Sequence, residues 1–100
     1  MSDRLQGKVA LVTGGGSGIG RTSAIALANE GARVVVADIN TGGGPATVDA
    51  ITECDGDAFF VKADMTIIAD VQAMIDATVE AYGQLDCALN TAGIEGAVGV

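Results

Sequence analysis

Residues 8–20 read KVALVTGGGSGIG, a short apolar run of β-forming residues that leads into a glycine-rich turn. Residues 18–30 then show helical spacing, with Ala24 and Ala28 on one apolar face. Because glycine has no Cβ, the main chain of such a turn can bend tightly and approach a ligand closely. The following helix directs its unpaired N–H groups and the positive end of its dipole at the same place. This arrangement predicts an anion site, for which a pyrophosphate is the natural ligand; the alternative is a merely flexible turn.

An acidic residue ends the next apolar run. Arg33–Asp38 reads RVVVAD, and its last residue follows Gly20 by 18 positions. A carboxylate there can accept hydrogen bonds from the adenosine ribose of a dinucleotide and would repel a 2′-phosphate. Neither Ser17 nor Ile39 supplies a basic side chain to offset that repulsion. We therefore expect NAD to be the cofactor in preference to NADP.

The cycle of strand, helix and glycine repeats without a linker and indicates one domain over residues 1–100. Near-continuous apolar runs are typical of parallel strands buried on both faces, and their alternation with helices predicts right-handed crossovers. The predicted strands cover residues 8–13, 33–38, 58–61 and 86–90, and the predicted helices cover 18–30, a segment starting at Pro45, and 67–82. The fold class is α/β: a Rossmann-type doubly wound parallel sheet of strand order 3-2-1-4, with two helices on one face and one on the other.

Glycines also mark the ends of the predicted helices. Gly31, Gly56 and Gly83 follow the three helices, and we expect each to take the left-handed conformation that ends a helix. The second glycine cluster, residues 42–44, precedes Pro45 and is predicted to be a mobile loop rather than a second phosphate site. The fourth strand would be a bare apolar edge, so we predict that the chain is only marginally stable by itself.

Composition and charge disfavour several classes of protein. The 5 Lys+Arg against 13 Asp+Glu give a net charge of −8, which argues against nucleic acids and anionic membranes as partners. The apolar stretches are far shorter than the roughly 20 residues of a membrane helix, so we expect a cytoplasmic protein. The absence of histidine excludes Ser–His and Cys–His catalysis, and no metal site is predicted. Cys54 and Cys87 are expected to be small buried residues in a reducing compartment.

Four motifs resemble those of the short-chain dehydrogenase/reductase family, over about residues 7–93. The turn at residues 13–20, TGGGSGIG, is similar to the family's cofactor loop, and Asp38 ends the second strand. Asp64-Met65 resembles the acidic position after the third strand. Residues 90–93, NTAG, resemble the family's NNAG motif, with Thr91 in place of the second Asn.

The resemblance implies a role for each matched residue. The pyrophosphate and the nicotinamide ribose would be lined by Gly14, Ser17, Gly18, Ile19 and Gly20. Asp38 would hold the adenosine ribose, Ile39 would pack on the adenine, and the adenine edge would meet Asp64 and Met65. The cofactor would be flanked, and the central strands braced, by Asn90, Ala92 and Gly93.

For several residues a purely structural role is the alternative. Asp64 also suits the start of a helix, Asn90 suits the end of a strand, and Met65 suits the core. Arg21, in the first turn of the first helix, is predicted to be a solvated side chain rather than a phosphate ligand.

The family's chemistry, hydride transfer between the nicotinamide and an alcohol or ketone, uses a Ser, a Tyr and a Lys four residues after the Tyr. Here Tyr82 is followed at that spacing by Asp86, so no catalytic residue is assigned, and Tyr82 is predicted to be a core residue with a solvated hydroxyl. We expect the chain to be the NAD-binding half of a longer oxidoreductase, or a truncated form of one. It would be inactive alone, and the homo-oligomer contacts expected of the family would lie elsewhere. A non-catalytic dinucleotide-binding module and a structural domain without a ligand are the alternatives.

Overall fold

The structure is a computed structural model that describes residues 4–14, 16 and 18–91. Strands and helices alternate through the described residues. They are β1 (Val9–Thr13), α1 (Gly18–Asn29), β2 (Arg33–Asp38), α2 (Gly43–Glu53), β3 (Ala58–Lys62), α3 (Ile68–Tyr82) and β4 (Cys87–Asn90). Every predicted element is present, and β2 has the predicted bounds.

The strands form one parallel sheet in the order β3-β2-β1-β4, as predicted. Val12 of β1 pairs with Val36 of β2 and with Leu89 of β4. Every residue of β1 is buried, which explains its nearly continuous apolar sequence, VALVT. Because the strands are parallel, their carboxyl ends meet at one edge of the sheet. At that edge the direction of winding reverses between β1 and β4, which is where open sheets of this class bind ligands.

The sheet separates two apolar cores, with the predicted two helices on one face and one on the other. Ala24 of α1 and Ile51 of α2 belong to the same core as Val36. Met74 of α3 belongs to the opposite core, together with Val35. Neighbouring residues of β2 thus contribute to opposite faces, as the pleat of a strand requires.

The glycine prediction for the helix ends is confirmed at two places and wrong at the third. Gly31 and Gly83 have φ angles of 99° and 80°. After α2, however, the left-handed residue is Asp55, with φ of 65°, and not Gly56. Gly56 is instead required for space, because a Cβ there would lie 2.5 Å from Cγ2 of Ile51.

Two details of the helices also differ from expectation. Pro45 occupies the third position of α2 rather than the first, where its missing N–H costs little because the first four N–H groups of a helix have no partner within it. The helical spacing of residues 67–82 predicts that Val79 shares a packed face with Thr78. The buried residues of α3 are instead Met74 and Thr78, and Val79 is 45% exposed. Successive helical residues turn about 100° apart, so the neighbour of Thr78 points away from the sheet.

The prediction that both cysteines are buried is wrong. Cys54 and Cys87 are exposed. Cys54 lies just past α2, and Cys87 lies on β4, whose neighbour among the described strands is β1 alone. Ala88 and Asn90 of β4 are exposed as well, which agrees with the predicted bare edge.

Candidate functional site

The glycine-rich turn lies at the carboxyl edge of the sheet, between β1 and α1. Gly14 follows β1 directly and has a φ of 74°, a left-handed value that glycine adopts without strain. Its N–H donates to the carbonyl of Ala37 on β2 at 2.7 Å. The turn is therefore tied to the ends of both central strands.

Gly20 brings the start of α1 against the ends of the strands. A Cβ at this position would lie 2.6 Å from Oγ1 of Thr91 and would collide with the carbonyl of Gly14. The first N–H groups of α1 have no acceptor within the helix and carry partial positive charge. Ile19, in the same turn, is 44% exposed. This geometry suits an anion at the start of α1.

Asp38 is held in a fixed orientation at the end of β2. Its Oδ2 accepts a hydrogen bond from the N–H of Gly16 at 2.9 Å, and its Oδ1 accepts one from the N–H of Asn40 at 3.0 Å. Each carboxylate oxygen has two lone pairs, so both oxygens can accept a further donor such as a sugar hydroxyl. Sequence reasoning missed Gly16, because a bond between residues 22 positions apart leaves no periodic signal.

A cavity of about 170 Å³ adjoins Asp38. Its lining comprises Gly14, Asp38, Ile39, Ala63, Asp64, Met65 and Thr66. The structure thus brings together the four residues that were placed around the adenosine from the sequence, although β2 and β3 supply them separately. Ile39 is 58% exposed and offers an apolar surface that suits a flat ring.

A larger cavity, of about 350 Å³, lies at the opposite edge of the sheet, where Val9, Leu27 and Cys87 contribute to its lining. This cavity is at the amino ends of β1 and β4. Ligands of open parallel sheets bind outside the carboxyl ends of the strands. We therefore take the smaller cavity, beside Asp38, as the candidate site.

Asp64 has a structural role in addition to its place in the cavity. Its Oδ1 accepts hydrogen bonds from the hydroxyl of Thr66 at 2.6 Å and from the N–H of Thr66 at 2.9 Å. These two bonds hold the pKa of the Asp64 carboxyl below its ordinary value, so the group is ionised at neutral pH. Its own N–H donates to Oδ2 of Asp70, in the first turn of α3, at 2.9 Å. Sequence reasoning missed Thr66, which orients this carboxylate.

The end of β4 is fastened to the end of β1. Oγ1 of Thr13 donates to Oδ1 of Asn90 at 3.0 Å. Oγ1 of Thr91, which is buried, donates to the carbonyl of Thr13 at 2.7 Å. A longer bond of 3.3 Å from the same hydroxyl reaches the carbonyl of Gly14 in the glycine-rich turn. Ser17, Ala92 and Gly93, which the resemblance also placed at the cofactor, lie outside the described residues.

Tyr82 lies away from the candidate site, at the amino ends of β2 and β3. Its hydroxyl donates to Oδ1 of Asp57 at 2.8 Å, and its ring lies 5.4 Å from that of Phe59 and 5.5 Å from the guanidinium of Arg33. Burial, together with the Asp57 carboxylate, raises the pKa of the Tyr82 phenol well above its ordinary value. A phenol that stays protonated here is a packing and anchoring group.

Two features are absent from the described part of the chain. Across residues 4–14, 16 and 18–91, no three acidic or cysteine side chains come together as a metal site. None of the helices in these ranges combines the length and the apolar character that crossing a membrane requires.

Comparison with known proteins agrees with this geometry. The family model described as short chain dehydrogenase matches residues 8–100. The short chain dehydrogenase/reductase astE of Aspergillus oryzae is 50% identical over 91 residues, which are 90% of this chain and 35% of that protein. The 7alpha-hydroxysteroid dehydrogenase of Escherichia coli is 41% identical over 90 residues, again 90% of this chain and 35% of the relative. The chain therefore spans little more than a third of the length of these relatives.

Solved structures show the same fold at similar identity. A hydroxysteroid dehydrogenase from Escherichia coli superposes with a TM-score of 0.85 and 40% identity, over 87% of this chain and 37% of the other. A short chain dehydrogenase/reductase from Burkholderia phymatum, solved in complex with NAD, gives a TM-score of 0.82 and 38% identity over 85% of this chain and 30% of the other. Together with the family match, these similarities show that the chain belongs to the short chain dehydrogenase family of oxidoreductases.

Proposed function

We propose that this chain is the NAD(H)-binding part of a short chain dehydrogenase that transfers hydride between the nicotinamide and an alcohol or ketone. The observation that carries the proposal is the joint geometry of the glycine-rich turn and Asp38. The N–H of Gly16 bonds the carboxylate at the end of β2, so the anion-binding turn and the acidic position form one continuous wall. Such a wall matches a ligand that has a negatively charged bridge next to a sugar.

The residues of the site fit a dinucleotide along its length. The pyrophosphate would lie on the N–H groups at the start of α1, held by Gly14, Ser17, Gly18, Ile19 and Gly20. The adenosine ribose would bond Asp38, and the adenine would enter the 170 Å³ cavity between Ile39, Asp64 and Met65. By the family resemblance, Asn90, Ala92 and Gly93 would flank the cofactor. The exclusion of a Cβ at Gly20 supports this placement, because it lets the start of α1 approach the strand ends closely.

The charge of Asp38 favours NAD over NADP. Two unit charges about 4 Å apart repel by roughly 1 kcal/mol at the dielectric constant of water and by about 4 kcal/mol at the effective value typical of surface pairs. A 2′-phosphate beside Asp38 would experience this repulsion, whereas a 2′-hydroxyl would donate a hydrogen bond to the same carboxylate.

The bound nicotinamide would supply the hydride chemistry, and the residues of this chain would bind and orient it. Proton transfer and substrate binding are assigned to other parts of a longer enzyme. Two observations support that assignment: the anchored Tyr82 lies away from the candidate site, and the chain spans 35% of the length of its relative from Aspergillus oryzae.

Nucleotide titration of the chain and of two charge-matched variants tests the proposal. Asp38→Ala removes the carboxylate that would hold the ribose, and Asp49→Ala removes an exposed carboxylate on α2. We expect Asp38→Ala to weaken NADH binding by about tenfold, the loss of a charge-assisted hydrogen bond, and to leave NADPH binding unchanged or to strengthen it, because the repulsion of the 2′-phosphate is removed. Asp49→Ala should leave both affinities unchanged. Folded chain that binds neither nucleotide at millimolar concentration, or equal losses for both nucleotides, would contradict the proposal.

A further inference from the structure

The glycine-rich turn and α2 touch backbone to backbone. Gly16 is buried, and a Cβ on it would lie 2.6 Å from Oδ2 of Asp38 and 2.9 Å from the nitrogen of Gly44. A Cβ on Gly43 would collide with the carbonyl of Gly16. The prediction of a mobile loop at residues 42–44 is therefore wrong for Gly43 and Gly44, which belong to α2. Gly43 is a glycine because the turn packs directly against it, whereas a Cβ on Gly44 would collide with the ring of Phe60.

Arg21 bridges the same two elements with its side chain. Its Nη2 donates to the carbonyl of Gly16 at 2.7 Å, and its Nε donates to Oγ1 of Thr47 on α2 at 3.1 Å. A longer contact of 3.5 Å joins Nη2 to the carbonyl of Gly43. The guanidinium is planar and presents its donors in a fixed fork, so bonds to two separate elements fix their relative position. The prediction of a solvated Arg21 is wrong, since the side chain is half-buried and bonded to protein acceptors.

The backbone of Gly16 is consequently held at both its N–H and its carbonyl group. Its N–H bonds the carboxylate of Asp38, and its carbonyl accepts from Arg21. Any displacement of Gly16 would break or bend the bond that orients the carboxylate. The guanidinium thus acts on Asp38 through one intervening residue.

We propose that Arg21 is a positioning residue that clamps Gly16 against α2 and thereby fixes the orientation of Asp38 on which discrimination between NADH and NADPH depends. The part of this proposal that concerns discrimination rests on the proposed function. The clamp itself is a property of the ligand-free chain and can be tested without a nucleotide.

An electrostatic contribution is the competing explanation for any effect of Arg21 on nucleotide binding. A positive charge near the start of α1 attracts an anion whatever its hydrogen bonds. Lysine keeps that charge but lacks the planar fork, so it cannot hold Gly16 and Thr47 in the same geometry. Arg21→Lys and Arg21→Met together therefore separate the clamp from the charge. Arg33→Met is the matched control, because it removes an arginine from the opposite end of β2.

Two measurements on these variants test the clamp. The first is the exchange rate of the Gly16 amide hydrogen in the ligand-free chain, followed by NMR. We expect exchange to accelerate by about tenfold in both Arg21 variants, the loss expected when a charge-assisted hydrogen bond is weakened. The second is the dissociation constant for NADPH divided by that for NADH. We expect this ratio to fall by roughly three- to tenfold in both variants because Asp38 is less well oriented. Arg33→Met should change neither quantity.

Each outcome decides the proposal. Unchanged Gly16 exchange in Arg21→Met refutes the clamp, and wild-type behaviour of Arg21→Lys in both measurements shows that only the charge matters. If Arg21→Met and Arg21→Lys do not fold, Thr47→Val, which removes the acceptor of Nε and also the bond that Oγ1 of Thr47 donates to the carbonyl of Gly43, should accelerate Gly16 exchange to a smaller extent, and no acceleration refutes the proposal. Faster Gly16 exchange in the Arg21 variants, together with a wild-type chain that binds neither nucleotide, would support the clamp and refute the proposed function.

Discussion

Replacing Gly20 by alanine should destabilise the chain, although helix propensity alone predicts the opposite. In a helix interior, alanine is favoured over glycine by about 1 kcal/mol. The Cβ at this position, however, would collide with the carbonyl of Gly14 and lie 2.6 Å from Oγ1 of Thr91. Both contacts involve groups at the strand ends, and the carbonyl belongs to the backbone and cannot rotate away. Overpacking of this kind costs about 1–3 kcal/mol or more.

We therefore expect a net loss of about 2 kcal/mol in the free energy of unfolding of Gly20→Ala, which for a chain of this size lowers Tm by roughly 8–16 °C. Urea denaturation, monitored by circular dichroism, measures this change in the free energy of unfolding. Gly42→Ala is the control, because Gly42 has helical φ and ψ of −93° and −48° and its Cβ would lie an ordinary 3.4 Å from Oδ1 of Asn40. That variant should be neutral or more stable by up to about 1 kcal/mol. A Gly20→Ala chain as stable as Gly42→Ala would refute the close packing of α1 on the strand ends.

Two further predictions concern the amino ends of the strands. Tyr82→Phe removes the bond to Asp57 and should cost about 0.5–1 kcal/mol of unfolding free energy while NADH affinity stays unchanged; a clear loss of NADH binding would contradict the separation of Tyr82 from the site. Hydrogen bonds from the N–H of Val9 and the amide of Gln84 hold the pKa of the Asp86 carboxyl below its ordinary value. The ionised Asp86 carboxylate therefore contributes its full stabilisation above the pKa of the unfolded chain, about 4. This stabilisation is lost as the pH falls through the lower pKa of the folded chain. Asp86→Asn should flatten that acid-side loss in unfolding measured against pH, and an unaltered pH dependence would contradict the assignment.

The strand order and the helix layers were predictable because the apolar runs and their glycine boundaries are local signals. β2 is the clearest case, since its bounds follow directly from RVVVAD. The start of α2 was not predictable, because a glycine cluster before Pro45 has the local pattern of a loop. Its helical conformation and its contact with Gly16 become evident only when residues far apart in the chain meet.

In the candidate site, too, some features were predictable from the sequence and others were not. Asp38 was identified from its place at the end of the second strand, and Ile39, Asp64 and Met65 were implied by the family resemblance. The structure gathers all four around one cavity. Their supporting bonds were missed, including the bond from Thr66 to Asp64. A hydrogen bond to a side chain depends on turn geometry and tertiary distance, neither of which has a period in the sequence. The exposed cysteines were mispredicted for a related reason, because residue type alone does not say where a residue lies. Cys54 follows the end of α2, and Cys87 lies on β4, which has β1 as its one neighbour among the described strands.

Mapping the nucleotide onto the chain tests the central proposal most directly. In a titration of the ¹⁵N-labelled chain with NAD, we expect the largest amide shift changes within residues 14–20 and at Asp38, Ile39 and Thr66. Residues lining the cavity at the opposite edge, such as Val9 and Cys87, should be unaffected. Shift changes concentrated at that opposite edge, or no change at the start of α1, would contradict the assignment of the dinucleotide to the glycine-rich turn.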